Sequence, residues 1–321
     1  MTMRAAMLLL ALTASGCRSS RHPVMPASLG SVPDATATIA QIVDVPDRWT
    51  VETVNAADWA VPLKGLVNLD HPEAKAAGLE DHDEPIQVYF HALRHPEHGL
   101  FIVDTGVEKA QVEAPKEAAF RGLVAKVMPA DALQVHVTTA DWLAQQPVPL
   151  TGVFLTHLHL DHVMGLPDVP AGTPIYLGPG ETSERNMSNG FVKKVFRRAL
   201  EGHDALLEWQ FSEDPDGRFT GVLDVFGDAS LWAIHVPGHT PGSTAFLVRT
   251  EGGPVLLTGD VSHTAWGWEH GVEPGKFSSD KEVSAQSFQT LRAFAMEHPT
   301  LDVRLGHQAT PAVASEAMAR R

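Results

Sequence analysis

Short apolar runs separated by polar, Gly-rich and Pro-rich turns recur along the chain and predict β-strands. Residues 85–93 and 100–103 flank the polar turn 94–99, so they predict a hairpin. The same pattern predicts further strands at residues 153–156, 173–177, 231–236, 244–248, 255–258 and 302–305. The chain therefore has the strand content of a sheet-based domain.

Helical patterns lie between these strands. Residues 108–146 are expected to be mainly helical, with the clearer pieces at 116–127 and 139–146. Residues 181–201 repeat apolar positions every three or four residues, which predicts an amphipathic helix, and residues 281–298 predict another. The basic cluster on the first of these helices is interpreted as a solvated face rather than a binding patch: Lys193, Lys194, Arg197 and Arg198.

Five predicted strands end at a residue or group that can bind a metal ion. Each residue alone would be interpreted as a turn or surface residue, but the shared position at a strand end favours a common site. Ligands from the ends of separate strands can converge at one edge of a sheet core, where a rigid scaffold holds them. These strand ends are Asp104, the segment His157-Leu158-His159-Leu160-Asp161-His162, His239, Asp260 and His307.

The segment 157–162 places four potential metal ligands within six residues. In an extended chain, side chains two residues apart project to the same face, so His157 and His159 can face one point. Asp161 and His162 begin a turn toward a short helix and can face a second point beside the first. One loop can therefore serve two adjacent metal ions.

Composition and charge exclude several classes of function. The chain has 321 residues, 44% of them apolar and 20% charged, which suits one large globular domain or two small ones. Its formal charge of −15 and the absence of a basic stripe argue against a nucleic-acid partner.

Cys17 is the only cysteine, so no intrachain disulfide forms and any metal site must use His and carboxylate ligands.

The first residues resemble a bacterial lipoprotein signal. Arg4 precedes the apolar run 5–14, and small residues precede Cys17. We expect a signal peptide over residues 1–17, with Cys17 lipidated and the protein exported, anchored to the bacterial cell envelope and facing the periplasm. An ordinary signal stays open, because Ala14 stands where lipoprotein signals prefer Leu. Residues 18–44 have a tether-like composition and precede a domain over residues 45–321.

Over residues 45–321 the ordered strand-end motifs resemble those of the metallo-β-lactamase-fold hydrolases. The resemblance implies an α/β fold, a four-layer αββα sandwich with the site along one edge. It also implies two metal ions joined by a bridging acid, and a further acid that holds a ligand histidine in place. The implied assignments are His157, His159 and His239 to one metal ion, Asp161, His162 and His307 to the other, Asp260 to the bridge, and Asp104 to the holding position.

The spacing of the motifs is similar to that of N-acyl-homoserine lactonases and related lactone or ester hydrolases. His162 and His239 are 77 residues apart, His239 and Asp260 are 21 apart, and Asp260 and His307 are 47 apart. The implied function is metal-dependent hydrolysis of a small ester or lactone, with N-acyl-homoserine lactones as candidate substrates. A thioesterase, a β-lactamase that uses no cysteine, a phosphoesterase and a non-catalytic metal-binding lipoprotein stay open as alternatives.

The cofactor implied by this ligand set is a pair of divalent metal ions. Zinc is favoured because every ligand is His or Asp, while iron, manganese and cobalt stay open. Asp161, Asp260 and His263 are the candidate catalytic residues. His263 stands where lactonases commonly carry a tyrosine three residues after the bridging acid, and it could donate a hydrogen bond or a proton, or be a surface histidine. Trp266 and Trp268 could line an apolar pocket or serve as ordinary packing.

Overall fold

The computed structural model describes residues 17–34, 38–128, 130–186 and 189–310. The predicted signal peptide therefore lies outside the described residues except for Cys17, and it stays a prediction. Within the described residues no helix is long and apolar enough to cross a bilayer.

The described strands alternate with short helices along the chain. The strands are β1 (Cys17–Arg18), β2 (Val24–Pro26), β3 (Thr50–Pro62), β4 (Asp83–His95), β5 (Gly99–Val103), β6 (Gln134–Val135), β7 (Leu150–Phe154), β8 (Ile175–Leu177), β9 (Arg185–Asn186), β10 (Leu206–Glu208), β11 (Gly221–Asp224), β12 (Leu231–His235), β13 (Thr244–Val248), β14 (Val255–Leu257) and β15 (Asp302–Arg304). The α-helices are α1 (Ile39–Ile42), α2 (Leu63–Leu66), α3 (Pro72–Ala76), α4 (Ala110–Glu113), α5 (Leu123–Val127), α6 (Thr139–Leu143), α7 (Leu160–Val163), α8 (Asn189–Ala199), α9 (Ala265–His270) and α10 (Lys281–Glu297).

Two sheets form the centre of the fold. The larger sheet has the strand order β2-β10-β8-β7-β5-β4-β3-β6, and the smaller sheet has the order β11-β12-β13-β14-β15. The predicted hairpin is present, because β4 and β5 pair antiparallel. The strands β5, β7 and β8 run parallel, as do β14 and β15, so their carboxyl ends meet at the same edge.

Three apolar cores separate four layers. The core between the sheets contains Phe154 from the larger sheet and Phe246 from the smaller one, with ring centroids 5.6 Å apart. On the outer face of the larger sheet, α7 and α8 bury side chains such as Val163 and Phe196. On the outer face of the smaller sheet, α10 buries Phe288, among others. The predicted α/β class and αββα layering are therefore confirmed.

Some local predictions were wrong. The described residues of the segment 108–146 are mostly turns, and their helical pieces are α4, α5, α6 and a 3-10 turn at Ala130–Ala132. The buried residues Phe120, Val124 and Trp142 are too widely spaced to form the continuous apolar stripe of one long helix. The helix predicted over residues 181–201 begins only at Asn189, since residues 181–186 form a turn and β9. Strand β3, at Thr50–Pro62, was not predicted; its many polar positions hide it from an apolar-run search.

The segment 18–44 also differs from the predicted tether, because its described part packs on the domain. Strand β2 pairs parallel with β10 at the edge of the larger sheet. Ile39 and Val43 are buried in the core beneath α10. An edge strand needs only the free backbone groups of its neighbour, so a segment with no apolar period can still pair. Composition alone did not show this.

Candidate metal centre

The metal-competent side chains meet at the edge where the parallel strands end. Asp104 follows β5, the segment 157–162 follows β7, and His239 lies in the turn between β12 and β13. Asp260 follows β14, and His307 follows β15. A backbone hydrogen bond from Thr244 N to Thr156 O, 2.8 Å long, joins the two sheets at this edge. All the strand-end residues predicted from the sequence are thus brought together.

Two glycines allow the close approach of these loops. Gly238, directly before His239, has φ +126°, and a Cβ there would overlap the backbone of Ser284. A Cβ on Gly306, directly before His307, would overlap the carboxylate of Asp260. The turn that presents each of these two histidines therefore requires a residue without a side chain.

The first ligand group contains His157, His159, His239 and Asp260. Nε2 of His239 lies 3.2 Å from Nε2 of His157 and 2.9 Å from Nδ1 of His159. His157 and His239 are 1% exposed. Burial first, and then neighbouring imidazoles, lower the pKa of both residues, which favours the neutral form that binds a metal ion.

The second ligand group contains Asp161, His162 and His307. Oδ2 of Asp161 lies 3.2 Å from Nε2 of His307 and 3.9 Å from Nε2 of His162. Asp161 and His162 lie on α7, a single helical turn, and the ring centroid of His162 is 4.1 Å from that of His157. The loop thus supplies His157 and His159 to the first group and Asp161 and His162 to the adjacent second group.

Asp260 lies between the two groups. Its Oδ2 is 3.3 Å from Nε2 of His239 and 3.3 Å from Nε2 of His307. Its Oδ1 is 3.4 Å from Nε2 of His162. One carboxylate thus faces histidines of both groups, the position that the resemblance implied for a bridging ligand.

The local electrostatics keep both aspartates of the site ionised. Burial alone would raise the pKa of Asp260, but His307, His263 and His162 lower it well below its usual value. Burial would likewise raise the pKa of Asp161, and His162 and His307 outweigh it and lower that pKa. Conversely, Asp260 and Asp161 overcome the effect of burial and raise the pKa of His307 to about 10. The two ionised aspartates thus hold a proton on His307, and a metal cation bound at the site would take the place of that positive charge.

Unpartnered buried atoms test whether metal ions fit this site. Nε2 of His162 and Oδ1 of Asp260, 3.4 Å apart, are buried and have no hydrogen-bond partner. Buried polar atoms normally have partners, and two facing donor atoms without one are suited to bind a metal ion. Nitrogen and carboxylate oxygen donors are the ligands of zinc and related divalent metals. The residues fit two divalent metal ions.

Two ligand histidines are oriented through their second ring nitrogen. Nδ1 of His162 lies 2.8 Å from Oδ2 of Asp104, and Nδ1 of His307 donates to the Gln87 carbonyl oxygen at 2.9 Å. Asp104 also accepts a hydrogen bond from Thr156 N. Such contacts fix the tautomer so that Nε2 faces the metal ion. Asp104 therefore lies where the sequence placed it, behind a ligand histidine.

His263 lies inside the site and is 1% exposed. Its Nδ1 is 3.0 Å from the carbonyl oxygen of Leu66, and its Nε2 is 3.2 Å from Oδ2 of Asp260. A carbonyl oxygen only accepts, so Nδ1 carries a proton. The ring is nearly parallel to that of His307, with an interplanar angle of 5°. The structure thus excludes a surface position for His263.

The two tryptophans after His263 pack against the cores. Trp266 is half-buried against the core of the larger sheet, and its ring stacks on that of His270. Trp268 packs edge-on against Phe288, with ring centroids 5.9 Å apart. Of the two interpretations left open by the sequence, these contacts are those of ordinary packing.

Glu181 is a residue of the site that the sequence analysis missed. It is 2% exposed, and its Oε2 accepts a hydrogen bond of 2.6 Å from Leu158 N. Its Oε1 accepts from Gly242 N at 2.8 Å and from the hydroxyl of Thr240. It therefore ties the loop of His157 and His159 to the turn of His239. The sequence does carry a feature that could have identified Glu181: it follows the end of strand β8 across a Gly-Pro-Gly turn, at a strand end like the metal ligands.

The profile of the family described as the metallo-beta-lactamase superfamily matches residues 84–294. The N-acyl homoserine lactonase AttM of Agrobacterium fabrum is 31% identical over 222 residues, which are 67% of this chain and 80% of the relative. The AttM lactonase of Azorhizobium caulinodans is 32% identical over 233 residues, 70% of this chain and 83% of the relative. The crystal structure of a quorum-quenching N-acyl homoserine lactone lactonase superimposes with a TM-score of 0.57 at 20% identity, covering 82% of this chain and 93% of that one.

Proposed function

This chain belongs to the metallo-beta-lactamase superfamily, and from that premise we propose that it hydrolyses the lactone ring of N-acyl-homoserine lactones with two zinc ions. The resemblance stated from the sequence is confirmed, and so is the prediction of a metal-dependent hydrolase with a site for two metal ions. The proposal adds the substrate class and the identity of the metal.

One observation carries the proposal: a single carboxylate, that of Asp260, lies between two groups of His and Asp ligands. When bound there, two divalent metal ions supply a water molecule of lowered pKa and a Lewis acid that polarises a carbonyl group. Hydrolysis of a lactone needs both functions at neighbouring positions. The lactonases among the relatives support this substrate class over the other esters.

The residues of the chain then have distinct tasks. Asp260 holds the two ligand groups at a fixed separation, and Asp161 completes the second group beside His307. His263 offers the Nε2 atom, which has no hydrogen-bond partner and lies beside Asp260. Because its Nδ1 proton is committed to Leu66, His263 donates from Nε2 only when both nitrogens carry protons. We assign it the proton that the departing alkoxide requires.

The location of the protein forms a separate part of the proposal. The lipoprotein-type signal over residues 1–17 supports export, acylation of Cys17 and attachment to the bacterial cell envelope on its periplasmic side. The intact mass of the chain extracted from membranes tests this. The expected mass is that of a chain beginning at an acylated Cys17. A mass without lipid would contradict the anchor and leave the hydrolase function untouched.

A substrate panel tests the function. The purified full chain, with its metal content measured on the same sample, is assayed against an N-acyl-homoserine lactone series, nitrocefin, aryl esters, a thioester and a phosphodiester. We expect ring opening of the lactones with the highest kcat/KM. Two bound metal ions without lactone turnover would contradict the substrate class, and the other compounds would then identify the alternative hydrolase. A chain that binds metal and hydrolyses none of them would be a non-catalytic metal-binding protein.

A further inference from the structure

The N-terminal arm of the domain, residues 17–22, lies along helix α8. Strand β1 pairs antiparallel with β9, directly before the helix, and it contacts α8. At the other end of the helix, Nε2 of His22 lies 2.7 Å from the carbonyl oxygen of Asp204. The backbone of Cys17 is therefore fixed beside the start of α8 by strand pairing, and no flexible segment separates Cys17 from the folded domain. Whatever is attached to Cys17 is held close to this helix.

A group of basic residues surrounds the arm and α8, and it is here named the cationic face. Lys194 and Arg197 are exposed, as are Arg18 and Arg21 of the arm. None of them forms an ion pair with any carboxylate in the described part of the chain. Exposed Glu201 follows the helix without pairing with them. The cationic face is defined here as Arg18, Arg21, Arg121, Lys126, Lys193, Lys194, Arg197 and Arg198, with Lys126 included because it is exposed on α5, which closely follows Arg121.

The turn before α5 joins this face. Arg198 donates a hydrogen bond to the carbonyl oxygen of Ala119 at 3.3 Å. Burial first, and then the charges of Arg121 and Arg197, lower the pKa of Arg198, so these three cations lie near one another. Leu123 and Val127, one helical turn apart on α5, are 68% and 61% exposed. Apolar side chains among lysines and arginines are typical of a surface that lies on a bilayer.

The charge of this face contrasts with that of the whole protein. The chain carries a formal charge of −15, yet eight of its 24 Lys and Arg residues belong to the cationic face. Like charges that repel one another and have no carboxylate partner in the described part of the chain gain most from an external anion. An anionic lipid surface attracts clustered Lys and Arg with about 1 kcal/mol per residue.

We propose that the cationic face docks on an anionic phospholipid surface, with the anchor at Cys17 beside the start of α8 and Leu123 and Val127 entering the headgroup region beyond its end. The proposal rests on the anchor of the proposed function for the chain's presence at the membrane. It differs from the solvated face expected from the sequence, because the sequence did not show that the arm lies along α8 or that Arg198 contacts the turn before α5. The docked face adjoins Glu184, whose backbone pairs with the arm and whose neighbour Glu181 braces the metal centre.

Lysine labelling tests the docking. The full chain is reconstituted in vesicles of phosphatidylglycerol or of phosphatidylcholine and treated with a membrane-impermeant amine reagent, and each lysine is quantified by mass spectrometry. Intact mass reports acylation of Cys17 in the same samples. We expect Lys126, Lys193 and Lys194 to react at least about fivefold more slowly on the anionic vesicles, the factor that corresponds to one cation held at the surface. Exposed Lys75 and Lys276 should react equally on both.

Variants separate the face from the anchor. The double variant Lys194→Glu/Arg197→Glu should lose the protection of Lys126 and Lys193, whereas the matched control Lys75→Glu/Lys276→Glu should keep it. Lys194→Arg/Arg197→Lys should also keep it, since the charge is unchanged. Equal labelling on the two lipids would overturn the docking face, even with Cys17 acylated. Protection on anionic vesicles without acylation would support the face and contradict the anchor alone. A chain that associates with neither lipid would overturn both.

Discussion

Oδ2 of Asp104 lies 2.8 Å from Nδ1 of His162, a ligand of the second metal group. Asp104 reaches this position in a left-handed backbone conformation, with φ +61°, which is uncommon outside glycine although Asp and Asn adopt it more often than other residues. The cost of this backbone conformation is offset because the carboxylate of Asp104 also accepts hydrogen bonds from the backbone N–H and the hydroxyl of Thr156. One residue thus fixes both a ligand and the loop that carries it.

Replacing Asp104 by alanine should therefore weaken metal binding without unfolding the domain. His162 would lose the partner that fixes its tautomer, and we expect zinc affinity at one site to fall about 10- to 100-fold. Competition with a zinc-binding dye measures the affinity, with exposed Asp70→Ala as the control. Unchanged affinity in the Asp104 variant would show that the contact has no role in holding the ligand.

His263→Phe should separate catalysis from metal binding. The phenylalanine keeps the aromatic packing against His307 but removes Nε2, the atom assigned as the proton donor. We expect metal content to stay as in the parent chain and kcat for lactone opening to fall about 10²-fold or more, the usual range for loss of a general acid. His270→Phe, at an exposed position, serves as the control. A parent-like kcat would remove His263 from the catalytic residues.

Glu181→Gln should weaken metal binding by disturbing the loops that carry ligand histidines. The amide would place a donor toward either Leu158 N or Gly242 N, where the carboxylate accepts from both. The two loops it joins carry three ligand histidines, so we expect zinc affinity to fall about tenfold or more while the free energy of unfolding falls only modestly. Exposed Glu201→Gln is the matched control. If both variants bind zinc as the parent does, Glu181 is not a positioning residue.

The carboxyl of Glu108 should make stability depend on pH. Burial raises the pKa of this 4%-exposed residue to about 7. Between the ordinary value, 4.5, and 7 the folded state keeps a proton that the unfolded chain releases, so the free energy of unfolding falls as pH rises through this window. Glu108→Gln keeps an acceptor for Ala119 N but cannot ionise, and it should regain on the order of 1 kcal/mol at pH 8 relative to pH 5.

Urea unfolding of the parent chain and of Glu108→Gln at pH 5 and pH 8 measures this difference. Glu117→Gln, an exposed change of the same kind, should follow the parent chain at both values. A Glu108 variant whose stability changes with pH as steeply as that of the parent would show that Glu108 does not titrate in this window.

The sequence predicted those parts of the molecule whose chemistry is concentrated in short motifs. Asp104, His239, Asp260 and His307 were found because a strand end combines an apolar run with a metal-competent residue, and both are visible locally. Glu181 has the same position after β8, but a single glutamate carries no metal-ligand spacing and was passed over. Its importance comes from three donors contributed by two distant loops.

The remaining differences come from contacts between distant segments. Strand β2 forms because β10 leaves an open edge, and the burial of Ile39 depends on α10, more than 200 residues away. Neither relationship leaves a periodic signal in residues 18–44. Likewise, the contact of His263 with Leu66 spans 197 residues, so its position inside the site could not be chosen over a surface position from the sequence alone.

The most direct measurement of the central claim is lactone opening by the metal-free full chain as zinc is added back in known equivalents. The two ligand groups predict that activity rises until two zinc ions are bound per chain and then stays constant. Asp260→Asn, which keeps the shape of the bridging residue but not its charge, should stay folded by circular dichroism and lose most of this activity. Full activity at one zinc ion per chain, or in the Asp260 variant, would contradict the two-metal account.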